Sequence, residues 1–241
     1  LRPQSGVCKI FGEDITKMSA ATRERIALLL EGHVQYAFMT IGQIERFYSQ
    51  FYKKWNRAAY YELMEKLKVT PDQKLSSMSC GQRSQVALGL ILAQNADLLV
   101  LDDFSLGLDP GYRRLFTDYL REYAKAENKT VFMTSHIIQD MERLVDDCII
   151  LDYGRILVQK PVKELMDTFH RYAFTAADCS ALESDSRLYS TSRIRENCET
   201  FSFETGEAVR KILEEKAIEY KDLRQEKLSL EDIFIGLTGK Y

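Results

Sequence analysis

Short apolar runs alternate with amphipathic stretches along the first two thirds of the chain, and this rhythm limits the possible folds more than any other feature. Residues 25–31 (RIALLLE), 98–102 (LLVLD), 130–135 (TVFMTS) and 148–154 (CIILDYG) read as buried strands, as does 6–12 (GVCKIFG). Between them, 41–55 and 58–69 read as helices, with Ile44, Phe47, Tyr48 and Phe51 in step on one face. Further helices are expected from Gln82 to about Asn95, over 110–127 with Pro110 at the first helical position, and over 137–145. Strand and helix in this repetition predict a parallel sheet covered by helices on both faces. Ligands of such sheets bind beyond the carboxyl ends of the strands, where Asp102, Asp103, Ser135 and His136 fall.

A chain of 241 residues, 45% of them hydrophobic, suffices for one or two domains with a real core. Its net charge of -3 gives no global reason to expect nucleic acid or an anionic membrane surface as partner. The five cysteines are odd in number and form no C-x-x-C pair, which suits a reducing cytoplasm and argues against a disulfide framework or a zinc site. No apolar stretch reaches the roughly 18 residues that span a bilayer, and no signal peptide opens the chain, so it reads as soluble. The chain opens at Leu1 rather than at a methionine, and upstream sequence is therefore expected.

The pattern changes after about His170. Strand-like RYAFTA, a polar stretch, ETFSF, a helical GEAVRKILEEKAI and strand-like EYKDLRQEKL predict a small α+β appendix. Ser229 and Asp232 open a last helix as a capping box with Asp in place of the usual Glu or Gln.

Two stretches carry chemistry. The apolar run Leu98–Leu101 ends in Asp102 and Asp103, with Asp109 following through a Ser-Leu-Gly-Leu turn. Ionised carboxylates at a strand end are either solvated acids, or ligands of a metal ion and activators of water. Upstream, Ser79-Cys80-Gly81-Gln82 leads into a long apolar helix. Such a turn is either a simple N-cap or a phosphate site, since free N–H groups and the helix dipole favour an anion there. His136, read alone, is an ordinary neighbour of a helix start or a catalytic group.

The order of these pieces carries a resemblance. From Leu1 to about Thr168 the chain resembles the nucleotide-binding subunit of ATP-binding-cassette (ABC) transporters. MSCGQ is similar to the family's signature turn, LLVLDD to its magnesium strand, SLGLD to its dimer-contact loop, and His136 to its switch histidine. The resemblance implies a P-loop NTPase-like α/β domain over 1–168, with a helical subdomain at about 41–95, and an α+β accessory domain over 169–241 of the kind found in exporter-type members. It implies ATP and Mg²⁺ as ligands, Asp102 on the metal, and Asp103 and His136 as catalytic residues. Ser79, Gly81, Gln82, Asp109 and Glu31 are implied at the nucleotide, Glu31 standing where the family usually has Gln. A second nucleotide-binding subunit and a membrane permease, met through residues 31–55, are the implied partners, with no nucleic acid. The implied location is cytoplasmic, peripheral on the inner face of the cell membrane.

Three departures bear on function. The phosphate loop G-x-x-x-x-G-K-[ST] is absent from the 241 residues, whose only Gly-Lys pair is Gly239-Lys240. Asp103 stands in place of the usual catalytic Glu, one methylene shorter, and Cys80 in place of the signature's first Gly. The resemblance thus implies the ATPase subunit of a transporter, seen without its first strand, phosphate loop and first helix. The alternative is a degenerate partner subunit that presents MSCGQ to another chain's nucleotide and does not hydrolyse ATP itself.

Overall fold

A computed structural model of the chain describes residues 4–30, 36–104 and 108–239, which form two compact units, Leu1–His136 and Ile137–Tyr241. In the first unit, β1 (Lys9–Ile10) and β2 (Glu13–Asp14) make a tight antiparallel hairpin and a short helix α1 (Ala20–Arg23) follows. Parallel strands β3 (Ile26–Leu29), β4 (Leu98–Asp102) and β5 (Thr130–Thr134) form a three-stranded sheet with β4 in the middle. Between β3 and β4 lie α2 (Ile41–Ser49), α3 (Arg57–Lys66) and α4 (Cys80–Ala93), and α5 (Pro110–Ala126) joins β4 to β5.

The helix starts follow from short polar side chains placed before apolar runs. Thr40 with Gln43 and Ser79 with Gln82 close reciprocal capping boxes, Asn56 caps α3, and Asp109 caps α5 with Pro110 at its first position. Apolar α4 is buried over most of its length from Gly81 to Ala93 and forms the spine of the unit. Tyr60 and Met64 of α3 pack against Gly89, where even a methyl group would approach each to 3.0 Å. Glu45 of α2 is buried in this helical part, accepting from Trp55 Nε1 at 2.9 Å and lying 3.5 Å from the Arg57 guanidinium. Pairing of this kind is what makes a buried carboxylate tolerable.

The sheet is one-sided. Ala27 and Leu29 of β3 and Leu99 and Leu101 of β4 fill the core, while Leu28 and Phe132 are 53% and 56% exposed on the other face, in register through Val100. The expectation of helices on both faces, and of a fully buried strand at 98–101, is therefore corrected among the described residues. The expected strand at 6–12 is likewise reduced to the two residues of β1, because Phe11 and Gly12 both adopt positive φ and turn the chain back. The helix foreseen over 41–55 stops at Ser49.

The second unit begins with α6 (Ile138–Leu144), then β6 (Asp147–Asp152) and β7 (Arg155–Pro161). Among the described residues these strands make a two-stranded antiparallel sheet of their own, so the expectation of 148–154 as a strand of the parallel sheet is corrected. After α7 (Val162–Thr168), strands β8 (His170–Ala176), β9 (Tyr189–Ile194), β10 (Asn197–Ser202) and, beyond helix α8 (Gly206–Glu215), β11 (Tyr220–Glu226) make an antiparallel sheet in the order β11-β8-β10-β9. Val209, Ile212 and Leu213 of α8 pack on Tyr172, Phe174 and Cys198 of the sheet. The last helix, α9 (Leu230–Thr238), opens on the Ser229–Asp232 capping box, as the sequence predicts. The chain is thus α/β with a parallel sheet, followed by an antiparallel α+β region.

Candidate functional site

The carboxyl end of β4 gathers four of the residues singled out in the sequence or next to them. Asp102, exposed, ends the strand in register with Thr134 of β5. The Thr134 hydroxyl donates to Asp102 Oδ1 at 2.6 Å and accepts from the Asp103 N–H at 3.1 Å, while the Thr134 carbonyl also accepts from that N–H at 3.2 Å. One hydroxyl therefore fixes both acids. Asp103 leaves the strand with φ of 43°, a left-handed conformation that an Asp adopts at a cost of about 1 kcal/mol.

That turn aims the Asp103 side chain at the other strand end. His136 Nδ1 lies 2.8 Å from both Asp103 Oδ1 and Oδ2, with the imidazole half exposed and the carboxylate more sheltered. An ionised carboxylate only accepts, so Nδ1 carries the hydrogen and Nε2 is the ring nitrogen left for another partner. Acid and imidazole thus form an oriented pair two residues beyond β5.

The turn before α4 is a capping box first. Ser79 Oγ accepts from Gln82 N at 3.2 Å, and Gln82 Oε1 accepts from Ser79 N at 3.0 Å. The Ser79 hydroxyl hydrogen stays available as a donor, and Ser79 and Cys80 are exposed. Gly81 is buried because the Tyr112 ring lies against it: a methyl group there would stand 2.8 Å from Tyr112 Cγ. Gln85, one turn further along α4 and fully buried, donates from Nε2 to the Tyr112 carbonyl at 2.8 Å.

Asp109 is not part of the β4 cluster. Its Oδ1 caps α5, accepting from Gly111 N at 2.9 Å and Tyr112 N at 3.0 Å. Glu31, and residues 105–107 of the SLGLD loop, lie outside the described residues. Thr134, Gln85 and Tyr112 escaped the sequence reading. The Thr-Ser-His run at a strand end signals Thr134 once strands β4 and β5 are aligned, whereas nothing in the sequence sets Gln85 and Tyr112 apart.

Hard oxygen ligands suit Mg²⁺, which is ordinarily held by one or two carboxylates with phosphates and water completing the shell. Asp102 fits that donor set, with one oxygen engaged by Thr134. Among the described residues no group of three or more His, Cys, Asp or Glu side chains forms a metal cage. No helix among them is long and apolar enough to cross a membrane.

Residues 1–105 match the family model described as ABC transporter. The uncharacterized ABC transporter ATP-binding protein YhcH of Bacillus subtilis is 25% identical over 244 residues, covering all of this chain and 80% of that protein. The bacitracin transport ATP-binding protein BcrA of Bacillus licheniformis is 27% identical over 71% of this chain, which spans just 57% of the relative's length. A solved structure, the ATP-binding subunit of an ABC transporter, superposes on 69% of this chain and 71% of its own with a TM-score of 0.59 at 22% identity, a likeness of fold. Residues 1–105 thus match the ABC transporter family model, and the chain as a whole is similar to ABC transporter ATP-binding proteins.

Proposed function

We propose that the protein works as one of two ATP-binding subunits that close on ATP, hydrolyse it, and thereby drive a separate membrane permease. The observation that carries this reading is the pairing of His136 with Asp103 beside Asp102, at the end of the central strand of a sheet whose neighbouring helix α4 opens on an exposed Ser79 turn. The YhcH, BcrA and solved-structure names support the same reading over that of a degenerate partner.

In this reading each residue has one task. Asp102 supplies an oxygen ligand to Mg²⁺, and Thr134 holds that oxygen's carboxylate in place. Mg²⁺, when bound, offsets charge on the phosphate oxygens. Asp103 orients a water and takes its proton at a carboxylate oxygen, while His136, held through Nδ1, offers Nε2 to the terminal phosphate. Ser79, Gly81 and Gln82 meet the phosphate held by the opposite subunit, with the α4 dipole adding to the attraction. Asp109 belongs to the same interface, and Glu31 is assigned to nucleotide binding. Residues 169–241 act as an accessory domain.

The permease meets the region 31–55. An aromatic ladder supports this: Tyr36 packs edge-to-face on Phe47 (5.3 Å), and Phe47 on Phe51 (5.2 Å), leaving Phe38 and Phe51 72% and 60% exposed. Exposed rings in one patch are suited to bury an apolar partner surface. The subunit would then sit on the inner face of the membrane.

ATP turnover by the protein expressed from its whole gene tests the chemistry. Asp103→Asn keeps shape and loses the base, so hydrolysis falls by about 100-fold or more while MgATP affinity changes by less than about threefold. Turnover at the parental rate would remove Asp103 from the mechanism.

A further inference from the structure

We propose that Tyr112 is a positioning residue that makes the Ser79–Gln82 turn and the Asp109 cap move as one body. The functional weight of this coupling rests on the reading above, in which both segments meet the second subunit.

The backbone of Tyr112 is held at both ends. Its N–H donates to Asp109 Oδ1 at 3.0 Å, and its carbonyl accepts from Gln85 Nε2 at 2.8 Å. Its ring covers the third contact, pressed on Gly81 so closely that no side chain larger than hydrogen fits there: a Cβ would lie 2.8 Å from Cγ and 3.0 Å from Cε2. Gly81 and Gln85 are four residues apart in α4 and so share one face of the helix. The first turn of α5 is therefore tied to that face by a hydrogen bond and by the ring, one helical turn apart.

Two further observations single out this tie. Gln85 is fully buried, yet its Oε1 has no hydrogen-bond partner among the described residues. A buried amide with one orphaned end is costlier than an apolar side chain of the same shape, so its one bond, to Tyr112, is what the amide contributes. Asp109 Oδ1 also holds Gly111 N, so the acid, Gly111 and Tyr112 form one closed turn. Moving Asp109 displaces Tyr112, and because ring and Gly81 are in hard contact, displacing Tyr112 shifts the signature turn. Close-packed contacts transmit such shifts rather than absorb them.

Amide spectra of the 241-residue chain labelled with ¹⁵N-glycine test the coupling without nucleotide. Of the twelve glycines, Gly111 reports the Asp109 end and Gly81 the signature end, each assigned through the ¹³C-carbonyl of the preceding Pro110 or Cys80. Asp109→Ala should move both Gly111 and Gly81, beyond the scatter of Gly154 and Gly206 of the second unit. Tyr112→Ala should move Gly81 through loss of the ring, Tyr112→Phe should leave it in place, and Asp109→Ala in the Tyr112→Ala background should move Gly111 alone. Should Asp109→Ala not fold, Gln85→Leu cuts the second tie at constant bulk and should shift Gly81 only when a ring is present at 112. A Gly81 resonance indifferent to Asp109→Ala, or equally displaced with Ala at 112, overturns the proposal. Coupling found here, together with a protein expressed from its whole gene that fails to associate on MgATP, would overturn the functional reading and leave the positioning role standing.

Discussion

Asp185 shows how single residues carry stability outside the site. Its carboxylate, 7% exposed, accepts from Arg187 Nε at 2.9 Å and Nη2 at 2.8 Å, with Lys216 at 3.7 Å. The Arg187 hydrogen bonds hold the carboxyl well below the usual range. A depressed folded-state value means that the stabilisation is complete above the unfolded Asp value, about 4, and is lost as pH falls through the folded one. Asp185→Asn should lower Tm at pH 7 by roughly 3–6 °C. The gap between parent and variant should close progressively below about pH 4. Thermal melts from pH 7 to pH 2 check this, and a gap constant across that range would contradict it. At the candidate site the same scale governs: Asp102 and Asp103 stood out because acids at the end of an apolar run are conspicuous, whereas His136 was singled out only through the order of motifs in the resemblance. Thr134 was hidden, since its role depends on the Asp102–Thr134 register that only the folded sheet supplies.

At the scale of elements, packing of α9 offers a direct test. A methyl group on Gly236 would stand 2.6 Å from Phe201 Cδ1 and 3.1 Å from Phe169 Cε1, both in buried rings. Gly236→Ala gains about 1 kcal/mol of helix propensity, and overpacking costs about 1–3 kcal/mol. A net loss is expected, read as a lower urea midpoint; a stabilised variant would show that the rings yield freely. Helices were legible in the sequence through their starts, Pro110 at the first position of α5 and Ser229 with Asp232 above all. Strands were recognised as strands more readily than they were paired. Apolar runs 6–12 and 148–154 read as sheet strands, yet each runs into a two-residue turn of an aromatic and a glycine, Phe11-Gly12 and Tyr153-Gly154, with positive φ at both positions. Such turns reverse the chain within a hairpin, and an aromatic at the first position gives weaker warning than the usual Asn or Asp. Strand β9 was missed because its Tyr-Ser-Thr-Ser-Arg-Ile lacks an apolar alternation, its pairing with β10 supplying the order instead.

For the molecule as a whole, the phosphate loop decides what the 241 residues do alone. Triphosphate affinity in P-loop proteins comes mainly from the glycine-rich N–H cradle and its lysine. The chain contains no G-x-x-x-x-G-K-[ST], and Asp102 and Asp103 repel a triphosphate unless a cation bridges them. Calorimetric titration of this chain with MgATP should show no binding tighter than about millimolar. A stoichiometric micromolar signal would mean that nucleotide sits somewhere other than the carboxyl end of β4.

In the proposed function, the Ser79 turn completes a nucleotide site on a second subunit. Sedimentation of the Asp103→Asn protein, expressed from its whole gene, measures this most directly with and without MgATP. Slowed hydrolysis should hold the ATP-bound state, so MgATP should convert monomer to dimer, and adding Ser79→Arg should abolish that conversion by placing bulk in the phosphate site. A dimer that forms equally well with Arg at position 79, or a monomer that ignores MgATP, would contradict the account.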